Sequence, residues 1–340
     1  MKLQSGADMM ISDDRKGEKH MSEWKRYVQS MVERIDRCIR AEEDESLTLS
    51  ALSQQLGYSE YYTSRKFSEI SGMTLKDYIR FRKLAFALKD LRDTDCSIMD
   101  AAVKYGFSSS EAFSRAFRDA YGITPSDYRT NPVPVVLRTV IRPFDCYLME
   151  EAMKNMDIKQ NDGDVKVYFV QIPAHKFLHI RNYESIGYWD FWQKQSLIPG
   201  QDCETVCGLL ESIGGKLDDG IGQLMAWINE PEGRICSRGI PLAEAYGVRL
   251  PADYSGKIPE QMQIMDVPEG EYIVFEHGPF DFETENQIVE ARIEAAMKDF
   301  DYDKSEYELD MTPERVFYFY HDCERFFKYV RPVRRNSVFR

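Results

Sequence analysis

No stretch of the 340 residues approaches the roughly 20 consecutive apolar positions that a membrane-spanning helix needs, and the N-terminal residues lack the apolar segment of a secretory signal. A cytoplasmic chain with no membrane contact is therefore expected. Histidine is scarce, at five, and the seven cysteines fall into no zinc spacing. Cys203 and Cys207 are four apart, as are His175 and His179, but neither pair has two further ligands beside it. Reduced thiols and structural histidines are expected, with no metal and no cofactor. No Ser-His-Asp, Cys-His or paired-carboxylate spacing stands out, which argues against an enzyme. Disorder of the whole chain is excluded by 43 % hydrophobic and 13 % aromatic content, and the length suits two domains.

Positive charge is also short overall, with a formal net charge of −13. The deficit is local. Residues 1–46 carry 9 basic and 11 acidic side chains, residues 47–130 carry 12 and 10, and residues 131–340 carry 23 and 36. Affinity for nucleic acid depends on where Lys and Arg sit rather than on the whole-chain balance, so the middle segment remains a candidate for DNA.

Residues 1–20 are polar and without period and read as a disordered tail, with Met21 an alternative start. An amphipathic helix follows, carrying Trp24, Tyr27, Val28, Met31, Ile35 and Ile39 at three-to-four-residue spacing. From Leu47 to Arg129 the sequence repeats itself. Leu56-Gly57-Tyr58-Ser59 returns as Tyr105-Gly106-Phe107-Ser108, Arg65-x-Phe67 as Arg115-x-Phe117, and Ile70-Ser71-Gly72-Met73-Thr74 as Ala120-Tyr121-Gly122-Ile123-Thr124. The offset is 49 residues in the first match and 50 in the others, so the second turn holds one extra residue. Each copy reads as a short helix, a Gly-containing turn and a longer helix, the geometry that sends the second helix into the major groove. Ser59 is the expected N-cap of the first longer helix, and Ser108 or Ser109 that of the second. Thr63, Phe67 and Ile70 should face inward, with Tyr61, Ser64, Arg65 and Ser68 opposite. In the second copy Phe113, Ala116, Phe117 and Ala120 should face inward, with Glu111, Ser114, Arg115 and Arg118 opposite. Both outward sets carry an Arg at the third place, the side chain best able to read guanine bidentately. Leu75 to Leu91 forms a spacer helix, with Lys76, Arg80 and Lys83 on one side.

Residues 47–130 resemble the DNA-binding domain of the AraC/XylS family of bacterial transcription regulators. The resemblance rests on Leu56-Gly57-Tyr58-Ser59, Tyr78-Ile79-x-x-Arg82, Ile98-x-x-Ala101-Ala102-x-x-Tyr105-Gly106-Phe107, Phe113-x-Arg115-x-Phe117 and Gly122-Ile123-Thr124-Pro125-Ser126-x-Tyr128-Arg129. It implies contacts to double-stranded DNA from Tyr61, Ser64 and Arg65 in the first reading helix. In the second it implies contacts from Ser110, Glu111, Ser114 and Arg115.

Pro132 and Pro134 end helicity, and residues 131–163 read as a linker. Beyond it, alternation takes over at Val165-x-Val167-x-Phe169 and Phe177-x-His179-x-Arg181. Ile172-Pro173-x-x-Lys176-Phe177-x-x-Ile180 is echoed by Val267-Pro268-x-x-Glu271-Tyr272-x-x-Phe275 at an offset of 95. Helices are expected at about 185–196 and 282–298, with later strands near 205–210, 245–250, 315–321 and 327–333. The expected fold is two domains, an all-α double helix-turn-helix domain (21–130) followed by an α+β domain (164–334), with a short tail at 335–340. The second domain reads as a duplicated strand-strand-helix-strand unit forming one antiparallel sheet with a ligand cleft.

Residues 164–334 resemble the GyrI-like effector-binding domain, through the proline turns at 173 and 268, Gly187-Tyr188-Trp189, Tyr246-Gly247-Val248 and Val330-Arg331-Pro332-Val333. The resemblance implies a cleft for a small organic effector. Tyr183, Tyr188, Trp189, Trp192, Tyr246, Glu276, Tyr320 and Tyr329 are the candidate effector contacts, aromatic faces plus a carboxylate. Many such domains place a glutamate three or four residues before the closing Pro. Here those positions are Tyr329 and Lys328, so an uncharged or anionic effector is expected as readily as a cation.

The combined reading is an effector-responsive transcription regulator and activator, contacting RNA polymerase as well as DNA, and working as a monomer or homodimer. The alternative is a GyrI-like small-molecule hydrolase or ligand-sequestering protein fused to a DNA-binding domain.

Overall fold

The computed structural model describes residues 5–42, 47–138, 165–217, 221–235, 241–280, 282–302, 304–321 and 326–336. Most of the expected linker at 131–163, and residues 337–340 of the expected tail, lie outside them. The chain divides into two compact units, a helical one and a sheet-containing one; Val133–Val136 group with the second, and the chain from Leu137 groups again with the first.

Among the described residues the first unit holds α1 (Ser5–Ala41), α2 (Leu49–Leu56), α3 (Glu60–Ser71), α4 (Leu75–Asp93), α5 (Ile98–Lys104), α6 (Ser110–Tyr121) and α7 (Pro125–Thr130). α1 begins at Ser5, so residues 5–20, expected as a disordered tail, extend the helix instead. That stretch has no proline, and once the later turns are fixed by packing, each added residue avoids the cost of nucleation. The expected stripe is buried at Trp24, Val28, Met31, Ile35 and Ile39. Trp24 lies 4.8 Å from the Tyr58 ring and 5.3 Å from that of Tyr62, which fastens α1 to the first helix-turn-helix. Below this contact the Arg82 guanidinium donates to both carboxylate oxygens of Asp36, at 2.8 and 2.7 Å, and both side chains are buried.

The two repeats fold alike because their local chemistry matches. Gly57 and Gly106 both turn at φ +71°, a left-handed conformation that glycine adopts without a Cβ clash. Ser59 caps α3 by accepting from the Tyr62 amide at 3.3 Å, and Ser109, one residue later in its repeat, caps α6 by accepting from Ala112 at 3.1 Å. Thr74 and Thr124 cap α4 and α7, each also donating to an Asp in the first turn, Asp77 and Asp127. Phe67, Phe113 and Phe117 are fully buried, about 1.5–3 kcal/mol each by apolar area.

The second unit holds β1 (Lys166–Ile172), β2 (His175–Asn182), α8 (Tyr188–Gln195), α9 (Cys203–Ser212), β3 (Leu224–Ile235), β4 (Pro241–Pro251), β5 (Gln263–Val267), β6 (Gly270–His277), α10 (Phe282–Asp299), β7 (Tyr307–Leu309), β8 (Val316–His321) and β9 (Phe327–Arg335). Among the described residues they form one antiparallel sheet of order β1-β6-β9-β8-β3-β4-β2-β5, with β7 on β9. Exchanging β1, β2, β3 and β4 for β5, β6, β8 and β9 turns that order into its own reverse. The register obeys the same exchange: Val170 faces Tyr272 across β1–β6, and Met265 faces Phe177 across β5–β2, each residue moved by 95.

Alternation along the strands gives the sheet two apolar faces. One packs against α8, α9 and α10 through Leu178, Ile180, Phe191, Leu210, Phe275 and Ile293. The other gathers Phe177, Ala226, Tyr272, Val274, Tyr318 and Val330, and includes no helical residue. The expectation of a strand near 205–210 is corrected: those residues lie in α9. Asp202 caps that helix, its carboxylate accepting from the Thr205 amide at 3.0 Å, and the apolar run Val206 to Leu210 is a buried helical stretch.

Candidate functional site

The outward faces of α3 and α6 carry the expected DNA contacts. Tyr61 is 78 % exposed, Arg65, Glu111 and Arg115 are exposed, and Ser64, Ser110 and Ser114 are half-buried. Thr63, Phe67, Phe113 and Phe117 on the inward faces are buried. Arg65 is tethered: its Nε donates to Glu69 Oε1 at 2.8 Å, while Lys66 donates to Glu69 Oε2 at 2.8 Å. Lys66 and Arg65 together hold the Glu69 carboxyl below its ordinary range. At the start of α6, the Ser109 hydroxyl and the backbone amide of Glu111 itself hold the Glu111 carboxyl low as well. Between α3 and α6 in the chain, α4 runs for 19 residues, or about 28 Å at 1.5 Å per residue. Lys76 and Arg80 on it are exposed.

The candidate effector residues do not form one group. Tyr188, Trp192, Tyr246 and Tyr329 belong to the helix-covered face, where Trp192 packs on Tyr246 at 4.8 Å. Trp189 sits edge-on to Tyr188 at 5.0 Å. Tyr183, in the turn after β2, donates to Glu230 at 3.2 Å. Glu276 and Tyr320 lie on the opposite face of the sheet. There Glu276 accepts from the Tyr168 hydroxyl at 2.8 Å and from Lys328 at 3.2 Å, with Lys166 at 3.6 Å. Burial works to raise its pKa, but Tyr168, Lys328 and Lys166 outweigh it and leave the carboxyl below its ordinary value.

The helix-covered face instead draws its carboxylates from β4 and α10. Tyr329 stacks on Phe319 at 5.3 Å and 9°, and Trp227 lies 4.6 Å from Phe319 and 5.8 Å from Tyr329. Glu244, 2 % exposed, accepts from Trp227 Nε1 at 3.1 Å and from the Gly187 amide at 3.0 Å. Burial first, then the charges of Glu290, Glu294 and Glu244, push the Tyr329 hydroxyl up. Burial and the neighbouring Glu294 raise the Glu290 carboxyl.

A helix-turn-helix domain family matches residues 52–131. Over 102 residues the chain is 39 % identical to the regulatory protein SoxS of Salmonella typhimurium, covering 92 % of that protein and 30 % of this chain. The chain belongs to the AraC-type family of DNA-binding transcription regulators. A solved AraC-type transcriptional regulator from Chromobacterium violaceum is 26 % identical, covering 31 % of this chain and 96 % of that one, with a TM-score of 0.28. A protein solved bound to tetraphenylphosphonium is 16 % identical, covering 50 % of this chain and 94 % of its own, with a TM-score of 0.33.

In this AraC-type chain sequence reasoning placed helices α3 and α6 but missed the contact of Arg65 with Glu69, although a position four residues after Arg65 on a helix was a sufficient signal. It also missed Trp227, Phe319, Glu244 and Glu290. The signal for Trp227 and Glu244 was strand parity: they sit on the same face as Tyr246 once β3 and β4 pair, with Trp227 opposite Glu244. Among the described residues no helix is long and apolar enough to cross a membrane.

Proposed function

We propose that this AraC-type regulator is a one-component switch that reads an operator with α3 and α6 and answers to a small effector in the sheet domain. The observation that carries the DNA half is the matched pair of capped helices with Arg65 and Arg115 at equivalent exposed positions. A spacer of α4's length supports reading helices about one duplex turn apart, roughly 34 Å, in successive major grooves. Tyr61, Ser64 and Arg65 would touch bases from α3, and Ser110, Glu111, Ser114 and Arg115 from α6.

The effector cleft is read on the helix-covered face, around Trp227, Phe319 and Tyr329. Aromatic faces ringed by Glu244, Glu290 and Glu294 suit a cationic, partly apolar guest, through burial and cation–π attraction. The carboxylates come from β4 and α10, so the lack of a glutamate at 328–329 does not argue against a cation. Glu276, held by Tyr168 and Lys328, is left out of this cleft. The exchange symmetry of strand order and register supports descent of the domain from a duplicated strand-strand-helix-strand unit. The effector would act by binding DNA-competent and incompetent states unequally. Contact with RNA polymerase, activation of transcription and action in the cytoplasm complete the reading.

The test is binding of the full chain to a selected operator and to random DNA, measured by fluorescence anisotropy. Arg65→Ala should lower the specific-to-random ratio by roughly 5- to 150-fold and relax the preference at one base position. Lys76→Ala should weaken both equally. An unchanged ratio in Arg65→Ala would show the docking register to be wrong.

A further inference from the structure

Cys203 and Cys207, four residues apart in the sequence, fall on successive turns of one face of α9, and their Sγ atoms stand 3.8 Å apart. Both are thiols rather than halves of a disulfide. Cys203 opens the helix and is half-buried, while Cys207, one turn further in, is 9 % exposed. The inner residue is held from two sides. Its carbonyl accepts from Gln223 Nε2 at 2.9 Å, and its thiol donates to the Tyr246 hydroxyl at 3.7 Å. Tyr246 in turn donates to Gln223 Oε1 at 3.1 Å and packs on Trp192. The outer turn is fixed by Asp202, whose carboxylate accepts from the Thr205 amide and hydroxyl at 3.0 and 2.7 Å.

This placement suits a bridging atom better than a direct bond between the sulfurs. Side chains one turn apart on a helix have Cβ atoms about 5–6 Å apart, whereas a disulfide needs roughly 3.5–4.5 Å. Closing one would distort α9. Two sulfurs bound to a single centre at about 2.3 Å, with a near-tetrahedral angle, stand roughly 3.8 Å apart, which is the separation in α9. A four-ligand metal is a poor match, because among the described residues no group of three or more His, Cys, Asp or Glu side chains converges on one point. The better match is a soft centre that takes two sulfurs from the protein and brings its remaining substituent with it. Trivalent arsenic carrying one organic group has that valence.

We propose that Cys203 and Cys207 form a chelating site for a monosubstituted trivalent arsenical, an arsenic atom bearing one organic group and two hydroxides. Each thiol displaces one hydroxide: an As–S bond forms, an As–O bond breaks, and the thiol proton leaves with that hydroxide as water. Two waters are released, arsenic stays trivalent, and no oxidant or reductant takes part. Cys203, the more accessible sulfur, attacks first, and Cys207 closes the ring. Ring closure takes the proton that Cys207 gives to Tyr246, and so reaches the contact of Tyr246 with Trp192. The site stands whether or not a cation binds around Trp227 and Tyr329.

The reduced full chain is titrated with phenylarsine oxide, which hydrates to such an arsenical, and followed by thiol counting and intact mass. One equivalent should bind saturably, consume two thiols, and add one phenylarsenic group less two hydrogens. It should survive excess mercaptoethanol and be removed by dimercaptopropanol, because only a second dithiol matches a two-point attachment. Cys203→Ser and Cys207→Ser should each weaken that equivalent roughly 100-fold or more by leaving one attachment, and Cys203→Ser serves as the test if Cys207→Ser does not fold. Cys96→Ser should leave it unchanged. The proposal is overturned by an absence of any equivalent that resists mercaptoethanol, by its persistence in Cys203→Ser, or by its loss in Cys96→Ser.

Discussion

Arg82 of α4 and Asp36 of α1, 46 residues apart, form a buried two-point ion pair with bonds of 2.8 and 2.7 Å. The guanidinium also donates to the Arg138 carbonyl, so three segments meet at one side chain. Truncating one partner leaves the other charge buried. Asp36→Ala should therefore cost about 3–5 kcal/mol in urea unfolding of the full chain, nearly independent of salt. The double replacement Asp36→Leu with Arg82→Met should recover most of that loss. A single variant as stable as the wild type would show that water reaches the pair.

Glu69 holds Arg65 and Lys66 at 2.8 Å each, and its negative charge sits on the helix face proposed to meet DNA. Glu69→Gln should raise affinity for random DNA severalfold, by removing a charge that phosphate repels. It should also lower the operator-to-random ratio, because Arg65 loses its orienting partner. Anisotropy titrations at two salt concentrations separate the two effects.

His179 is buried and neutral. Its Nδ1 donates to the Phe177 carbonyl at 2.9 Å, and its Nε2 accepts from Arg181 at 2.9 and 3.1 Å. Burial, with Arg181 beside it, lowers its pKa from 6.5 to about 3. The unfolded chain thus binds the proton first as pH falls. The stability that neutral His179 provides is complete above pH 6.5 and is lost between there and about pH 3. The slope from this group approaches about 1.4 kcal/mol per pH unit. His179→Gln should flatten that part of the urea-midpoint profile, and an unchanged profile would place the acid sensitivity elsewhere.

A β-carbon at Gly247 would stand 2.0 Å from the Leu178 carbonyl oxygen and 2.9 Å from His179 Cα, the residue it faces across β2–β4. Backbone, not a flexible tip, occupies the space. Gly247→Ala should lower the melting midpoint by several degrees, corresponding to about 1–3 kcal/mol.

For the helix-covered face, benzyltrimethylammonium serves as the cationic probe. Trp227→Ala and Glu290→Gln should each weaken it tenfold or more, while Glu276→Gln should not. Burial and Glu294 raise the free Glu290 carboxyl, so a cation beside it should pull that carboxyl's pKa back down. Affinity for the probe should therefore fall as pH is lowered through the range where Glu290 takes up a proton, and that fall should be absent in Glu290→Gln.

The helix-turn-helix half was legible because caps, turns and apolar spacing are local, and they occur twice. Ser59, Ser109, Thr74 and Thr124 all mark helix starts that the chain keeps. The sheet half was legible at its proline turns and at β6, β8 and β9, and less so at β3. There Leu224, Met225, Ala226 and Ile228 are buried on both faces, so no polar alternation signals a strand. Grouping Glu276 with Tyr329 failed for a related reason. Composition brings residue types together, but pairing decides the face: Glu276 pairs with Lys328, one residue short of Tyr329, and so shares the side of Lys328.

Because β1 bonds to β6 and β5 to β2, each half of the sheet lends its opening strand to the other. A polypeptide carrying one half alone would keep its second strand without that neighbour and expose rows of unsatisfied amides. Its ready remedy is a twin copy: two identical halves would trade opening strands in a closed two-fold dimer. Splitting the domain between Pro251 and Gln263 should therefore yield fragments that reassemble with each other rather than fold apart.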